Sequence, residues 1–396
     1  MNLNVIRYTH INSEGMDGGT RIFIECAKRW VKNDIQINVF TCKEGYLLYT
    51  RNGLRGINFI IWPSLNFQKF GISPIYLLRT IIGGFKVLGI SLNKGSLIYS
   101  SSDFWPDVIP AIIMKLKNPK SSWIAAFYLF APKPWQIDNP YKGKNFLTGL
   151  FYWLTQLPIY WIVKRYADYV FVTSESDVKK FITPKRSKDK IVVVQGGVDI
   201  TSSEKYLKSE MVIPVAQRKY DACFLGRFHY QKGVLELVDI WKMVCQEKPK
   251  AKLAMIGNGS LETEVRKKIK KHGLKKNIDL LGFRDGQEKY DIFKQVKIMV
   301  HPATYDSGGM ASAEGMGWGL PGVSFDLEAL KTYYPKGMIK TKVGDKEEFA
   351  KKIINLLENK VLYEKTANDA HNLIIEAWDW NKRAKLIYNK LFSSNQ

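Results

Sequence analysis

FLGRFHYQKGV, from Phe224 to Val234, is the stretch on which the reading of this 396-residue chain turns. The apolar run Ala222 to Leu225 predicts a β-strand, and Gly226 predicts a tight turn directly after it. Arg227 and Lys232 are then expected to meet at the carboxyl end of that strand. Two cations in that place suit a diphosphate, the arginine acting as a planar fork and the lysine as a point charge. In a chain of formal net charge +23 a surface pair of basic residues is the competing reading. The choice therefore rests on what lies downstream.

Downstream is HPATYDSGGMASAEGMGWGLP, from His301 to Pro321. Asp306 and Glu314 are eight positions apart, a spacing that predicts one helical face about two turns apart, with Gly308 and Gly309 opening the backbone beside the first acid. Free N–H groups near Gly309 and Met310 would face an anion, and the two carboxylates would accept hydrogen bonds from hydroxyls. A ligand that is both sugar and phosphate fits this pattern. A capped helix with one buried acid fits it as well.

The hydrophobic pattern around these motifs is that of two successive α/β units. In the first half, strands are predicted at Asn4 to Tyr8, Ile35 to Val39, Ile57 to Trp62, Leu97 to Ser100, Trp123 to Phe130, Tyr169 to Thr173 and Ile191 to Gln195. A helix carrying Ile22, Cys26 and Trp30 follows Gly18 and Gly19. In the second half, strands are predicted at Ala222 to Leu225, Lys252 to Ile256, Ile278 to Leu281, Lys297 to His301, Gly322 to Phe325 and Met338 to Thr341. Ser202 to Lys219, polar and interrupted by Pro214, is the expected linker. Two doubly wound parallel sheets with a crevice between their carboxyl ends is the architecture that follows.

The ordered set of short motifs resembles the retaining glycosyltransferases of family 4, which have the GT-B fold. The residues that carry the resemblance are Gly226, Arg227, Phe228, Lys232 and Gly233, then IGNG from Ile256 to Gly259, then Gly282 and Phe283. The acid, seven residues, acid element with GLP after it completes the set. Gly18 and Gly19 stand where that family has a glycine-rich loop, and GGVD from Gly196 to Asp199 where it often has NGVD. Two departures stand out. The first acid is Asp306 where the family usually has Glu. The family also often has a histidine near the place of Tyr128 or Phe130.

The resemblance implies an N-terminal acceptor-side domain over 1–201 and a nucleotide-sugar-binding domain over 202–380. A last helix, 381–396, is expected to cross back to the first domain. It implies that Arg227 and Lys232 neutralise the leaving diphosphate, that Asp306 binds the transferred sugar and that Glu314 binds the ribose. Donor contacts are expected at Gly18, Gly19, Gly226, Gly257, Gly308, Gly309 and Met310. For the glycine pair a helix N-cap is the plain alternative, and Gly257 reads as a strand-to-helix turn on the nucleobase side. The co-substrate implied is a UDP- or GDP-linked sugar, with no resident cofactor. The absence of an Asp-x-Asp pair implies no metal.

Composition sets the outer limits. At 45% hydrophobic and 24% charged the chain is an ordinary globular protein. Its length predicts two domains. The basic excess is carried by both halves, which suits phosphates, nucleic acid or anionic lipid as partners. Cys26, Cys42, Cys223 and Cys245 form no C-x-x-C pair, so neither a zinc site nor a disulfide framework is expected. The start MNLNVIRYTH has no signal-peptide pattern, and a cytoplasmic location follows as the expectation. The five histidines, His10, His229, His272, His301 and His371, read as structural or surface residues.

One segment raises a membrane question: Phe146 to Val163 holds eighteen residues without a charge, with basic residues on both sides. A buried helix, an interfacial helix and a short span all fit that length. Gln156 and Pro158 count against a span, as does the strand expected after it. The function expected is a hexosyltransferase that builds a glycan or lipid-linked product, with peripheral contact to an anionic membrane. A nucleotide-sugar 2-epimerase on the same scaffold is the alternative, but it needs more acids and histidines than the motifs supply. A nucleic-acid binder fits the charge alone and lacks a binding module.

Overall fold

The computed structural model describes residues 1–11, 16–33, 35–65, 72–136 and 139–392. It divides into two compact units. Met1–Lys133, Phe146–Gly196 and Trp380–Gln396 form the first, and Pro134–Asn145 with Gly197–Asp379 form the second.

In the first unit strands and helices alternate: β1 (Asn2–Arg7), α1 (Gly18–Trp30), β2 (Gln36–Thr41), α2 (Lys43–Arg51), β3 (Asn58–Ile61), α3 (Ile72–Leu88), β4 (Leu97–Ser100), α4 (Trp105–Lys117), β5 (Ser122–Ala126), α5 (Phe146–Tyr166), β6 (Tyr169–Val172), α6 (Glu175–Phe181) and β7 (Ile191–Val193). The seven strands pair in the order β3-β2-β1-β4-β5-β6-β7. Every pairing is parallel, which a helical crossover between strands demands. The order reverses between β1 and β4.

The second unit repeats the plan with α7 (Thr201–Leu207), β8 (Tyr220–Leu225), α8 (Val234–Glu247), β9 (Leu253–Ile256), α9 (Glu262–Lys271), β10 (Ile278–Gly282), α10 (Gly286–Lys294), β11 (Val296–His301), α11 (Met310–Met316), β12 (Gly322–Phe325), α12 (Glu328–Tyr333), β13 (Met338–Thr341), α13 (Lys346–Glu358) and α14 (Lys360–Ala377). Its sheet runs β10-β9-β8-β11-β12-β13 and reverses between β8 and β11. The strands are nearly all apolar because helices cover both faces. Trp241 of α8 and Phe349 of α13 pack on Ala222, Leu253 and Val323, all fully buried. The last helix, α15 (Trp380–Phe392), lies in the first unit against α1. There the Trp30 indole N–H donates to the Ala384 carbonyl at 3.0 Å, and the Trp30 and Phe392 rings meet edge to face. Residues 393–396 of the expected crossing helix lie outside the described residues.

Four expectations are corrected. The strand predicted over Trp123 to Phe130 ends at Ala126, so Tyr128 lies past the sheet. The linker region begins with helix α7, whose Ser203 is buried, and the units divide after Gly196 rather than Thr201. Pro134–Asn145 belongs with the second unit although it precedes α5. Composition misleads in such places because a polar stretch can still fold when neighbours supply its apolar contacts. The fourth concerns Asp306, which precedes α11 and so shares no helical face with Glu314.

Candidate active site

Ligands of open α/β sheets gather outside the carboxyl ends of strands where strand order reverses. In the second unit that place is the end of β8 beside the end of β11. Arg227 and Lys232 follow β8, and His301 and Asp306 follow from β11.

The residues do not pair as their spacing suggested. Arg227 is exposed at the end of β8. Lys232 instead reaches Asp306, with Nζ donating to Oδ2 at 2.6 Å. His301 Nε2 lies 3.1 Å from the same oxygen, and Ser307 N donates to Oδ1 at 2.8 Å. The Asp306 side chain is only 9% exposed. Burial alone would raise its pKa. The Lys232 ammonium and the His301 contact outweigh that and hold the carboxyl well below the usual range. Asp306 is therefore a fixed anion, and Lys232 a cation held in place by it. His301, assigned only a structural role from sequence, is a buried member of this cluster. A histidine ending a strand at the reversal point was the signal available for it.

The glycines do different jobs. Gly309, with φ of 59°, is the left-handed residue just ahead of α11, and its carbonyl accepts from the Tyr334 hydroxyl at 2.7 Å. A Cβ on Gly308 would press on the Tyr333 ring at 3.2 Å. Met310 opens α11, which has only seven residues, so its contribution is a turn of backbone N–H groups rather than a long dipole. Gly226 does not have positive φ; the positive φ lies beside it on the next strand, at Gly257 after β9, whose φ is 133° and whose added Cβ would stand 1.9 Å from the Gly226 carbonyl oxygen. Gly257→Ala is therefore expected to lower stability by about 2 kcal/mol or more, from strain and clash together. Chemical unfolding checks this. A loss below about 0.5 kcal/mol would mean that the backbone relaxes freely there.

Glu314 sits on α11 and is bound by a residue that sequence reasoning missed. Lys289 of α10 donates to its Oε2 at 2.6 Å and to Asp285 at 2.8 Å. Lys289 is buried; desolvation would lower its pKa, and the two carboxylates raise it instead. In sequence, Asp285 and Lys289 read as an ordinary surface pair one helical turn apart. No local pattern points Lys289 toward Glu314.

In the first unit, Gly18 and Gly19 are the opening residues of α1, which Asp17 caps by accepting from Thr20 N at 2.9 Å. Asp17 also takes the Arg7 guanidinium at 2.6 Å. Desolvation works against the Asp17 charge only in part, since its side chain keeps 45% of its exposure, and Arg7 with the Thr20 bonds holds its pKa far below normal. Deeper in, Asp107 accepts from Tyr8 N at 2.7 Å, and burial pushes its pKa up to about 6. The glycine pair is thus both the start of a capped helix and a close approach. A Cβ on Gly19 would lie 2.7 Å from the Tyr128 ring. Tyr128, whose hydroxyl bonds that of Tyr99 at 2.7 Å, stands at the glycine turn. Phe130 instead joins the Phe127 and Phe181 cluster.

Among the described residues no group of three or more His, Cys, Asp or Glu is arranged to hold a metal ion.

With this geometry in place, similarity to known proteins narrows the chemistry. Residues 209–373 match the sequence model of the family described as Glycosyl transferases group 1. An uncharacterized glycosyltransferase of Methanocaldococcus jannaschii is 29% identical over 237 residues, 58% of this chain and 59% of that protein. The poly(glycerol-phosphate) alpha-glucosyltransferase of Bacillus subtilis is 24% identical over 189 residues, 47% of this chain and 27% of that protein. The aligned stretches thus span about half or less of these two relatives. Over 99% of its length the chain superposes on all of Anabaena HepE, solved in complex with UDP-glucose, with a TM-score of 0.68 and 17% identity. The chain has the two-domain α/β GT-B fold, two Rossmann-like parallel-sheet domains.

Proposed function

We propose that the chain is a retaining glycosyltransferase of the family 4 type, moving a hexosyl group from a UDP- or GDP-linked sugar to a glycan or lipid-linked acceptor. The observation that carries this reading is the Lys232, Asp306 and His301 cluster at the carboxyl ends of β8 and β11. The HepE complex with UDP-glucose supports a UDP-linked donor as the first to try, and the glucosyltransferase relative supports a glucosyl group on it.

The roles follow from donor and acceptor capacity. An ammonium has three N–H donors, so Lys232 can keep its bond to Asp306 and still offer two to a diphosphate oxygen. Arg227, exposed at the end of β8, supplies the second cation. As the anomeric carbon–oxygen bond breaks, charge builds on the leaving phosphate, and fixed cations stabilise it without reorganising. Asp306 is the acceptor for a sugar hydroxyl. Glu314 keeps one oxygen free of Lys289 for the ribose hydroxyls. Gly226, Gly257, Gly308, Gly309 and Met310 are assigned to the donor through their backbone, and Gly18 and Gly19 to its phosphate by the resemblance. No carboxylate is assigned as a covalent nucleophile. In a front-face displacement the acceptor oxygen bonds to the anomeric carbon on the face the phosphate leaves, and its proton passes to that phosphate. The protein would work in the cytoplasm, at the inner face of the membrane.

The test is donor-dependent thermal stabilisation across UDP-, GDP- and ADP-sugars, because a ligand that binds only the folded state raises its melting temperature. A flat response to every member overturns the reading. The cations named here make a metal unnecessary, so transfer is expected to persist in excess EDTA. Activity abolished by EDTA and restored by magnesium or manganese would contradict the phosphate assignment.

A further inference from the structure

In the first unit α3, α4 and α5 cover one face of the sheet. Val87 of α3, Ala111 of α4 and Val163 of α5 share a single core cluster with Ile98 of β4 and Val170 of β6. The opposite sides of α3 and α5 are apolar yet exposed. On α3, Leu77 is 59% exposed, Ile81 47% and Phe85 71%, at a spacing of four that makes one stripe. On α5, Leu147 is 73% exposed, Phe151 53% and Trp161 67%. Isolated exposed apolar residues need no explanation, but a run of them on each of two helices that cover the same face of the sheet does. Neither helix contains an acidic residue. Each has an exposed cation near its carboxyl end, Lys86 and Arg165. Both helices cross between parallel strands in the same sense, so these cations lie at one end of the unit.

We propose that the outer faces of α3 and α5 together form a surface that lies on an anionic lipid bilayer, inserting its aromatic and aliphatic side chains among the acyl chains. Trp and Tyr favour the headgroup level, and basic residues at its edge meet anionic headgroups. Charge decides the occupant. Neither helix carries an acidic residue and both carry an exposed cation, so anionic headgroups complement the edge of this face. The helix does not cross the bilayer: α5 joins β5 to β6, which pair side by side, and a crossing would separate them. Gln156, midway along α5, is buried and donates to Asp103 at 2.6 Å. The proposal rests on the membrane-side reading given above and names the surface responsible. The Trp153 side chain is only partly exposed, so Phe151 and Trp161 are the informative residues.

The test uses the full chain with vesicles of phosphatidylcholine alone or mixed with phosphatidylglycerol. The parent protein should sediment with the anionic vesicles at low salt, bind less as salt rises, and keep a salt-resistant remainder from inserted apolar side chains. The double variants Ile81→Ser with Phe85→Ser, and Phe151→Ser with Trp161→Ser, should each lower partitioning about tenfold or more. Melting temperature and donor-dependent stabilisation should not change, because the replaced side chains are exposed. The proposal is overturned if the parent does not sediment at low salt, or if either pair keeps parental binding. It is also overturned if light scattering finds a dimer that these changes dissociate. Vesicle binding without any donor response would instead sink the transferase reading and leave this surface standing.

Discussion

Lys232→Ala should lower the turnover number by about two orders of magnitude or more while the fold stays intact, the loss expected when one preorganised charge partner of a developing anion is removed. The structure adds a second readout, because Lys232 is also the nearest cation to buried Asp306. Asp306 has its pKa depressed in the folded protein, so its contribution to stability is present above its unfolded value. That contribution is lost as pH falls through the folded value. Removing Lys232 weakens the depression. The variant should therefore be less stable than the parent at neutral pH, with the gap closing in strong acid. Turnover within a few-fold of the parent would remove Lys232 from the diphosphate site. A stability gap independent of pH would break the coupling to Asp306.

Lys289→Met is expected to be the most destabilising of the changes named, by about 3 kcal/mol, because one partner of a buried pair is removed and the other keeps its charge. The lower end of the range applies since the Glu314 side chain is 23% exposed and water can reach it. Donor affinity should fall as well, since Glu314 loses the contact that orients it. Combining Lys289→Met with Glu314→Gln should recover part of the stability but none of the affinity, a double-mutant cycle that separates the two effects. The pair carries nothing if Lys289→Met unfolds at the parental denaturant midpoint.

The membrane question shows how far periodicity reaches. Phe146 to Val163 is apolar on all sides, so sequence alone left buried, interfacial and spanning helices open. The structure turns Gln156, Ile159 and Val163 inward and Phe151 and Trp161 outward. The stripe on α3 escaped notice because Ile72–Leu88 reads as an ordinary core helix. Exposure depends on how many neighbours cover a helix, which no single segment encodes.

By itself the sequence determined the alternation of strand and helix, all thirteen strands near their observed places, and the positions of Gly226, Lys232, Asp306 and Glu314 along the chain. These are local properties: apolar period, glycine turns and motif order act over a few residues. Only the tertiary structure decided which groups meet. Lys232 and Asp306 are 74 residues apart, and they touch because β8 and β11 are neighbours in the sheet. Lys289 reaches Glu314 because α10 and α11 flank β11, and Tyr128 rests on Gly19 because β5 ends at Ala126. Strand order places these partners, and crossovers set strand order through packing of the whole unit. A carboxylate's partner, and with it the charge state on which the chemistry depends, is therefore a property of the fold.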